Sequence, residues 1–236
     1  MQQVRDWLQH ASSIAVLTGA GISAESGIPT FRSAGGLWRQ YRAEDLATPQ
    51  AFDRDSLLVW EWYQWRRTLI AQARPNPGHF ALARLEERTP QFVLVTQNVD
   101  GIHDRAGSRN IVKLHGDIWN LRCMACSREW EDKRPELPQL PPRCECGGLA
   151  RPGVVWFGEA LPPTAWQAAE RAARSSAILL VVGTSGVVYP AAHLVTVARS
   201  AGARVVEINL EDTPQSLHCD AVLRGPSGEL LPQLIA

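Results

Sequence analysis

Ile14-Ala-Val-Leu-Thr-Gly-Ala-Gly-Ile-Ser-Ala-Glu-Ser-Gly27 joins an apolar run to a glycine-rich turn. Gly19, Gly21 and Ala24 fit G-x-G-x-x-G/A in the strand–turn–helix position. Glycines there let the backbone approach a pyrophosphate, whose charge then sits at a helix amino terminus. A purely structural turn carries the same glycines, so the stretch alone leaves that alternative open. An ordinary dinucleotide-binding fold places an acid about twenty residues on, after a second strand. Here Gly27-Ile-Pro-Thr-Phe-Arg-Ser-Ala-Gly-Gly-Leu-Trp38 follows instead, with no strand in it.

Outward from this turn, short runs rich in Val, Ile and Leu alternate with helical patterns. The runs are Ile14 to Leu17, Phe92 to Val95, Ile111 to Leu114, Ile178 to Val182 and Arg204 to Ile208. Continuous apolarity suits strands covered on both faces. Val4, Trp7, Leu8 and Ala11 keep the helical i, i+3, i+4, i+7 spacing, and Pro77 suits a first helical turn. The expected fold class is therefore α/β: a Rossmann-like parallel sheet with helices on both faces. Two regions interrupt the alternation: a Gly-containing loop with a Trp-rich helix, and a Cys- and Pro-rich stretch. They are expected to form a small zinc-binding domain from 32–75 and 119–151, beside a large domain of 1–31, 76–118 and 152–236.

The chain has 236 residues, 45% of them apolar, with 24 Lys plus Arg against 24 Asp plus Glu. A zero formal charge argues against nucleic-acid binding, which draws on a basic excess, and against an electrostatic membrane anchor. The longest apolar candidate, Ala177 to Val188, is too short to span a membrane and is broken by Gly183 and Gly186. The amino terminus lacks a signal-peptide core. A soluble, cytoplasmic protein is expected, in a reducing compartment where paired cysteines mean metal rather than disulfides. Cys123-x2-Cys126 and Cys144-x-Cys146, seventeen residues apart, have zinc-ribbon spacing. Four protein ligands close a tetrahedral site, which makes the zinc structural. Cys219 reads as a small core residue.

Polar groups follow the apolar runs. Thr96-Gln-Asn-Val-Asp-Gly-Ile-His103 comes after Val95, His115-Gly-Asp117 after Leu114, Gly183-Thr-Ser185 after Val182, and Asn209-Leu-Glu211 after Ile208. Open parallel sheets bind ligands at that carboxyl edge. A capped turn explains one Asn or Asp there, and a lone histidine is commonly structural, but their convergence on one edge favours a site.

TGAGIS (18–23), GIPTFR (27–32), TQNVDGIH (96–103), HGD (115–117), the cysteine quartet, VVWFGE (154–159) and GTS (183–185) occur in the order found in sirtuins. The chain resembles a compact bacterial member of that family from about residue 10 to 233. The resemblance implies an NAD-dependent protein lysine deacylase with NAD as cosubstrate and one structural zinc. Gly19, Ala20, Gly21 and Ser23 would line the phosphate site, and Pro29, Phe31, Arg32 and Trp38 would belong to the mobile cofactor loop. Gln97, Asn98 and Asp100 would orient the nicotinamide half. Gly183, Thr184, Ser185, Asn209, Leu210 and Glu211 would hold the adenosine half, with Ser227 a further adenine contact. His115 would be the catalytic base, with Asn98 beside it. As nicotinamide leaves, the acyl-lysine oxygen attacks the ribose, and the base then activates a ribose hydroxyl, giving 2′-O-acyl-ADP-ribose.

Val154, Val155, Trp156 and Phe157 resemble a strand that pairs with the substrate peptide, and Gly186 and Val187 begin the strand on its other side. Sirtuins that prefer succinyl- and malonyl-lysine carry a Tyr-x-x-Arg pair and a small alanine; Tyr63, Arg66 and Ala47 match them. Acylated lysines of proteins are the expected partners, and a monomer is expected. Two alternatives stand beside deacylation: an ADP-ribosyltransferase, and a zinc module that binds NAD or ADP-ribose without catalysis.

Overall fold

The computed structural model describes residues 1–30 and 40–235. Six parallel strands form the main sheet: β1 (Ser13–Thr18), β2 (Gln91–Thr96), β3 (Ile111–Lys113), β7 (Ile178–Val182), β8 (Arg204–Asn209) and β9 (Ala221–Arg224), in the order β3-β2-β1-β7-β8-β9. This is the doubly wound order, and it reverses between β1 and β7. The five expected runs are the first five strands of this sheet in chain order. The sixth, β9, is a four-residue edge strand with alternating burial, too short and too mixed to stand out as an apolar run.

Alternate residues of each central strand enter opposite cores. Ile14 and Val16 of β1 join Leu94, Leu180 and Val206 beneath α1 (Gln2–His10), α6 (Pro77–Arg88) and α10 (Ser227–Ile235). Ala15 and Leu17 join Leu179, Val181 and Val205 beneath α8 (Pro163–Ser175) and α9 (His193–Ser200). Pro77 opens α6, where Asn76 caps the helix by accepting from the Gly78 and His79 backbone N–H groups.

After β1 and the short α2 (Ala20–Ala24), the described chain runs through α3 (Ala43–Leu46), α4 (Pro49–Arg54) and α5 (Ser56–Gln72) before it returns to the sheet. These helices pack on a second sheet, ordered β5-β4-β6, made of β4 (Gly116–Cys123), β5 (Glu129–Glu131) and β6 (Ala150–Val154). A third core lies between them, built on Leu46, Phe52, Trp60, Trp62, Tyr63, Ile118, Leu121 and Trp156. Trp60 Nε1 donates to Ala150 O at 2.8 Å. Arg67 is fully buried and donates to the carbonyls of Ile118 (2.7 Å), Arg134 (2.8 Å) and Asp132, so one guanidinium fastens α5 to the cysteine-bearing sheet. Gly153 is needed for packing: a Cβ there would lie 2.7 Å from the Asn120 Cβ. No described helix is long and apolar enough to cross a membrane.

Candidate functional site at the carboxyl edge of the sheet

The topological switch between β1 and β7 opens onto the Gly19–Gly21 turn. A Cβ on Gly19 or Gly21 would come within 2.8 Å of the Gly183–Thr184 backbone, so these glycines let the two strand ends close on each other. Gly19 N donates to Val182 O (3.1 Å) and Gly21 N to Gly183 O (2.8 Å). The Gly19, Gly21 and Ile22 donors are thus committed to protein carbonyls, which fixes the shape of the turn. On the far side Asn209 Nδ2 donates to Thr184 O at 2.8 Å, which ties the β8 end to the β7 end. Ser185 lies half-buried beside it, whereas Leu210 is 66% exposed and Glu211 is exposed at the rim.

The residues after β2 are held by the strand ends around them. Gln97 Nε2 donates to Thr184 Oγ1 (3.0 Å) and to Thr18 O (3.3 Å), spanning β7 and β1. Asn98 Nδ2 donates to Gly19 O (3.0 Å) and Ser23 Oγ (3.3 Å). Ser23 is a buried hub, because its hydroxyl also donates to Asp100 Oδ2 at 2.8 Å and lies 3.5 Å from His79 Nε2. Burial raises the Asp100 carboxyl above its usual range, against the opposing pull of hydrogen bonds from Ile102 N and Ser23 Oγ. Behind Ser23 the rings of His79 and His103 lie 4.8 Å apart, both buried and both held below the ordinary imidazole range by desolvation, His79 down to about 4.

His115 follows β3, half-buried, with Nδ1 2.9 Å from Gln97 O. A carbonyl only accepts, so Nδ1 carries the proton and Nε2 keeps a lone pair. Burial lowers the imidazole below its usual range, opposed by that hydrogen bond. The group is therefore neutral and basic at Nε2 at physiological pH.

The sequence-expected groups Gly19, Ala20, Ser23, Gln97, Asn98, Asp100, His115, Thr184 and Asn209 meet along this edge. Phe31, Arg32 and Trp38 lie outside the described residues; Pro29 is half-buried at the end of the described turn. Ser227 follows β9, and its hydroxyl donates to Glu25 at 3.0 Å, while Gly228 N donates to the same carboxylate at 2.9 Å. Glu25 thereby caps α10, a role that no local pattern in the sequence marks.

The flanking segments are mostly irregular in the chain by itself. Only Val154 lies in a strand; Val155, Trp156 and Phe157 leave the sheet, and Gly186–Tyr189 is irregular. Val155 N still donates to His115 O in the register of the Val154–Gly116 pair, but Phe157 N turns to Ala47 O, each at 2.9 Å, so the segment leaves β4 within two residues. Gly186 takes φ +68 and accepts from Gln215 Nε2 at 3.2 Å. Val187 and Phe157 are exposed.

In the small core, Tyr63 and Arg66 share the buried face of α5, and Ala47 closes α3 beside them. The Arg66 guanidinium lies 5.5 Å over the Trp62 ring; burial lowers its pKa, opposed by Tyr63 and Asp100. Arg66 thus stands within electrostatic reach of the Asp100 carboxyl group.

The four cysteine sulfurs lie within 4.8 Å of one another, with Cys123–Cys146 at 3.5 Å and Cys126–Cys144 at 3.8 Å. Four thiolates each about 2.3 Å from one zinc would stand roughly 3.8 Å apart, so the quartet fits a single structural ion. Backbone N–H groups of Cys126 and Ala125 pull the Cys123 thiol down to about 6, toward the thiolate that zinc needs.

A Sir2 family model matches residues 19–190. The chain is 54% identical over 233 residues to NAD-dependent protein deacylase 2 of Pyrobaculum aerophilum, covering 98% of this chain and 93% of that one. It is 58% identical to an NAD-dependent protein deacylase of Aquifex aeolicus, over 86% of this chain and 85% of that one. A Sir2 homologue solved as an NAD complex superposes with a TM-score of 0.95 at 44% identity, covering 100% of this chain and 92% of that one. Likeness of this extent, over a sheet edge arranged around a neutral imidazole, leaves one placement: the chain belongs to the Sir2 family, a sirtuin of bacterial or archaeal type with NAD as its cofactor.

Proposed function

We propose that this chain is an NAD-dependent protein lysine deacylase that removes acidic acyl groups, succinyl and malonyl, and retains deacetylation as a second activity. The observation that carries the chemistry is the His115 ring. Its tautomer is set by Gln97 O, so Nε2 takes a proton from the ribose hydroxyl without an ionisation change beforehand. Asn98 has both amide hydrogens directed at Gly19 O and Ser23 Oγ, so its carbonyl oxygen is the atom that would accept from a ribose hydroxyl. NAD supplies the electrophilic ribose carbon and the departing nicotinamide. A Sir2 chain with a deacetylated p53 peptide and 3′-O-acetyl ADP ribose, 31% identical to this one, supports acylated lysine as substrate class.

The acidic preference rests on Tyr63 and Arg66, neighbours on the buried face of α5, and on Ala47 in the same core, which would together line an acyl pocket. A guanidinium binds a carboxylate through two parallel hydrogen bonds, and a phenol adds a third. The cytoplasm, with reduced thiols and NAD, is the compartment this chemistry suits. The test compares acyl-lysine peptides of one sequence. Arg66→Met should cut desuccinylation at least tenfold more than deacetylation, the loss of a charged hydrogen bond of about 1.5–3 kcal/mol. Equal loss of both activities would show that Arg66 only supports the helix.

A further inference from the structure

Trp156 and Tyr63 are 93 positions apart in sequence and joined by one hydrogen bond: Trp156 Nε1 lies 2.8 Å from Tyr63 Oη. An indole N–H only donates, so the phenol oxygen must accept there. The phenol's own proton therefore points elsewhere, and among the described residues it meets no acceptor. Tyr63 is 3% exposed, so water does not readily replace one. A buried donor left without a partner is unfavourable until something accepts from it. In this pocket the group that accepts best is a carboxylate already paired to Arg66.

Trp156 is itself held on three sides. Its backbone N–H donates to Glu159 Oε2 at 2.9 Å, and the Arg151 guanidinium lies 3.5 Å over its ring. The Phe52 ring stands 5.2 Å away on another side. Arg151 in turn grips both Glu159 oxygens at 2.6 and 2.8 Å and donates to Val154 O at 3.0 Å. The indole cannot swing away to release Tyr63 without losing its contacts with Arg151 and Phe52. The chain Glu159–Arg151–Trp156–Tyr63 ends on a phenol whose oxygen accepts from Trp156 and whose proton has no acceptor among the described residues.

We propose that Trp156 is a positioning residue for acyl choice: by donating to Tyr63 it turns the phenol into an obligate donor aimed at an acidic acyl chain. This role rests on the acidic-acyl reading above and is separate from any main-chain pairing of residues 154–157 with the peptide. An acetyl group has no second acceptor for the phenol proton, so the device discriminates by what each acyl group leaves unpaired.

The experiment measures kcat and KM for succinyl- and acetyl-lysine peptides of one sequence with the full chain, Tyr63→Phe, Trp156→Phe and the double variant. A second form replaces Trp156 by its benzothienyl isostere, which keeps the shape and removes only the N–H. The expected result is a succinyl-to-acetyl ratio of kcat/KM that falls about tenfold in each single variant, chiefly through KM for the succinyl peptide. The double variant should fall no further than Tyr63→Phe alone, because the two residues act through one proton. The isostere should reproduce the drop with the unfolding midpoint unchanged. If the parent prefers succinyl-lysine and the isostere keeps the full ratio, or the losses multiply in the double variant, Trp156 does not position Tyr63 and the acyl reading alone survives. If the parent shows no preference for succinyl-lysine, the acyl reading falls and the role of Trp156 falls with it.

Discussion

At the sheet edge, Gln97, Asn98 and His115 are held by backbone carbonyls and by hydroxyls of neighbouring strand ends. In the proposed acyl pocket, Tyr63, Arg66 and Trp156 are held by side chains drawn from α5 and from the segment after β6. The first arrangement follows from parallel register: Thr18 pairs with both Thr96 and Val182, so everything that follows those three residues is delivered to one crevice. The second has no register behind it and depends on packing between a helix and a zinc-bearing sheet, fastened by Arg67. The contrast separates rate from selectivity. Damage at the edge should stop chemistry, whereas damage in the pocket should change which acyl group is removed.

His115→Ala should draw that line most sharply. Deacylation of every acyl group should fall by about a hundredfold to ten-thousandfold, the usual contribution of a general base. The unfolding midpoint should stay close to the parent's, since the half-buried ring makes a single hydrogen bond to Gln97. Steady-state rates together with a thermal melt check both; undiminished turnover would overturn the assignment.

Zinc removal attacks the other region. Metal analysis should find about one zinc per chain, and strong chelation should lower activity while exposing the tryptophans packed around Trp60, read as a red shift of fluorescence. NAD binding at the glycine turn should survive better than turnover, because that half is framed by the main sheet. A chelated, zinc-free protein with full activity would show that the small domain stands without its metal.

The mildest test is pH. Burial keeps the His115 pKa below about 6.5, so kcat/KM should stay flat from pH 8 to about 6.5 and fall below that as Nε2 takes a proton. Stability should fall over the same side. His79 and His103 titrate lower in the folded chain than in the unfolded one, so the unfolded state gains protons first. Their contribution is full above about pH 6.5 and lost as pH drops toward about 4. A denaturant titration at pH 8 and pH 5 reads that change, and an unchanged midpoint would mean that the pair is not buried neutral.

Glu25, Arg67 and Trp156 show where sequence reading stops. Each acts on a partner far along the chain: Glu25 on Ser227, Arg67 on the carbonyls of Asp132 and Arg134, Trp156 on Tyr63. Arg67 looks like one more charged residue on a helix, and only its depth shows that it is an internal clamp. Edge strand β9 escaped for a related reason, since a strand covered on one face lacks a continuous apolar run.

The sequence by itself determined the doubly wound sheet, the zinc quartet and the edge groups Asn98, Asp100 and His115. These are local facts: apolar runs must be covered on both faces, paired cysteines bring their thiolates together, and a residue that follows a parallel strand lands at its carboxyl end. The packed chain was needed for the His115 tautomer, the commitment of Gly21 N–H to Gly183, the turn of 155–157 away from β4 and the Trp156 N–H that the Tyr63 oxygen accepts. Each depends on which acceptor or donor arrives from a distant segment, and hydrogen-bond direction is a property of the pair, carried by neither residue alone.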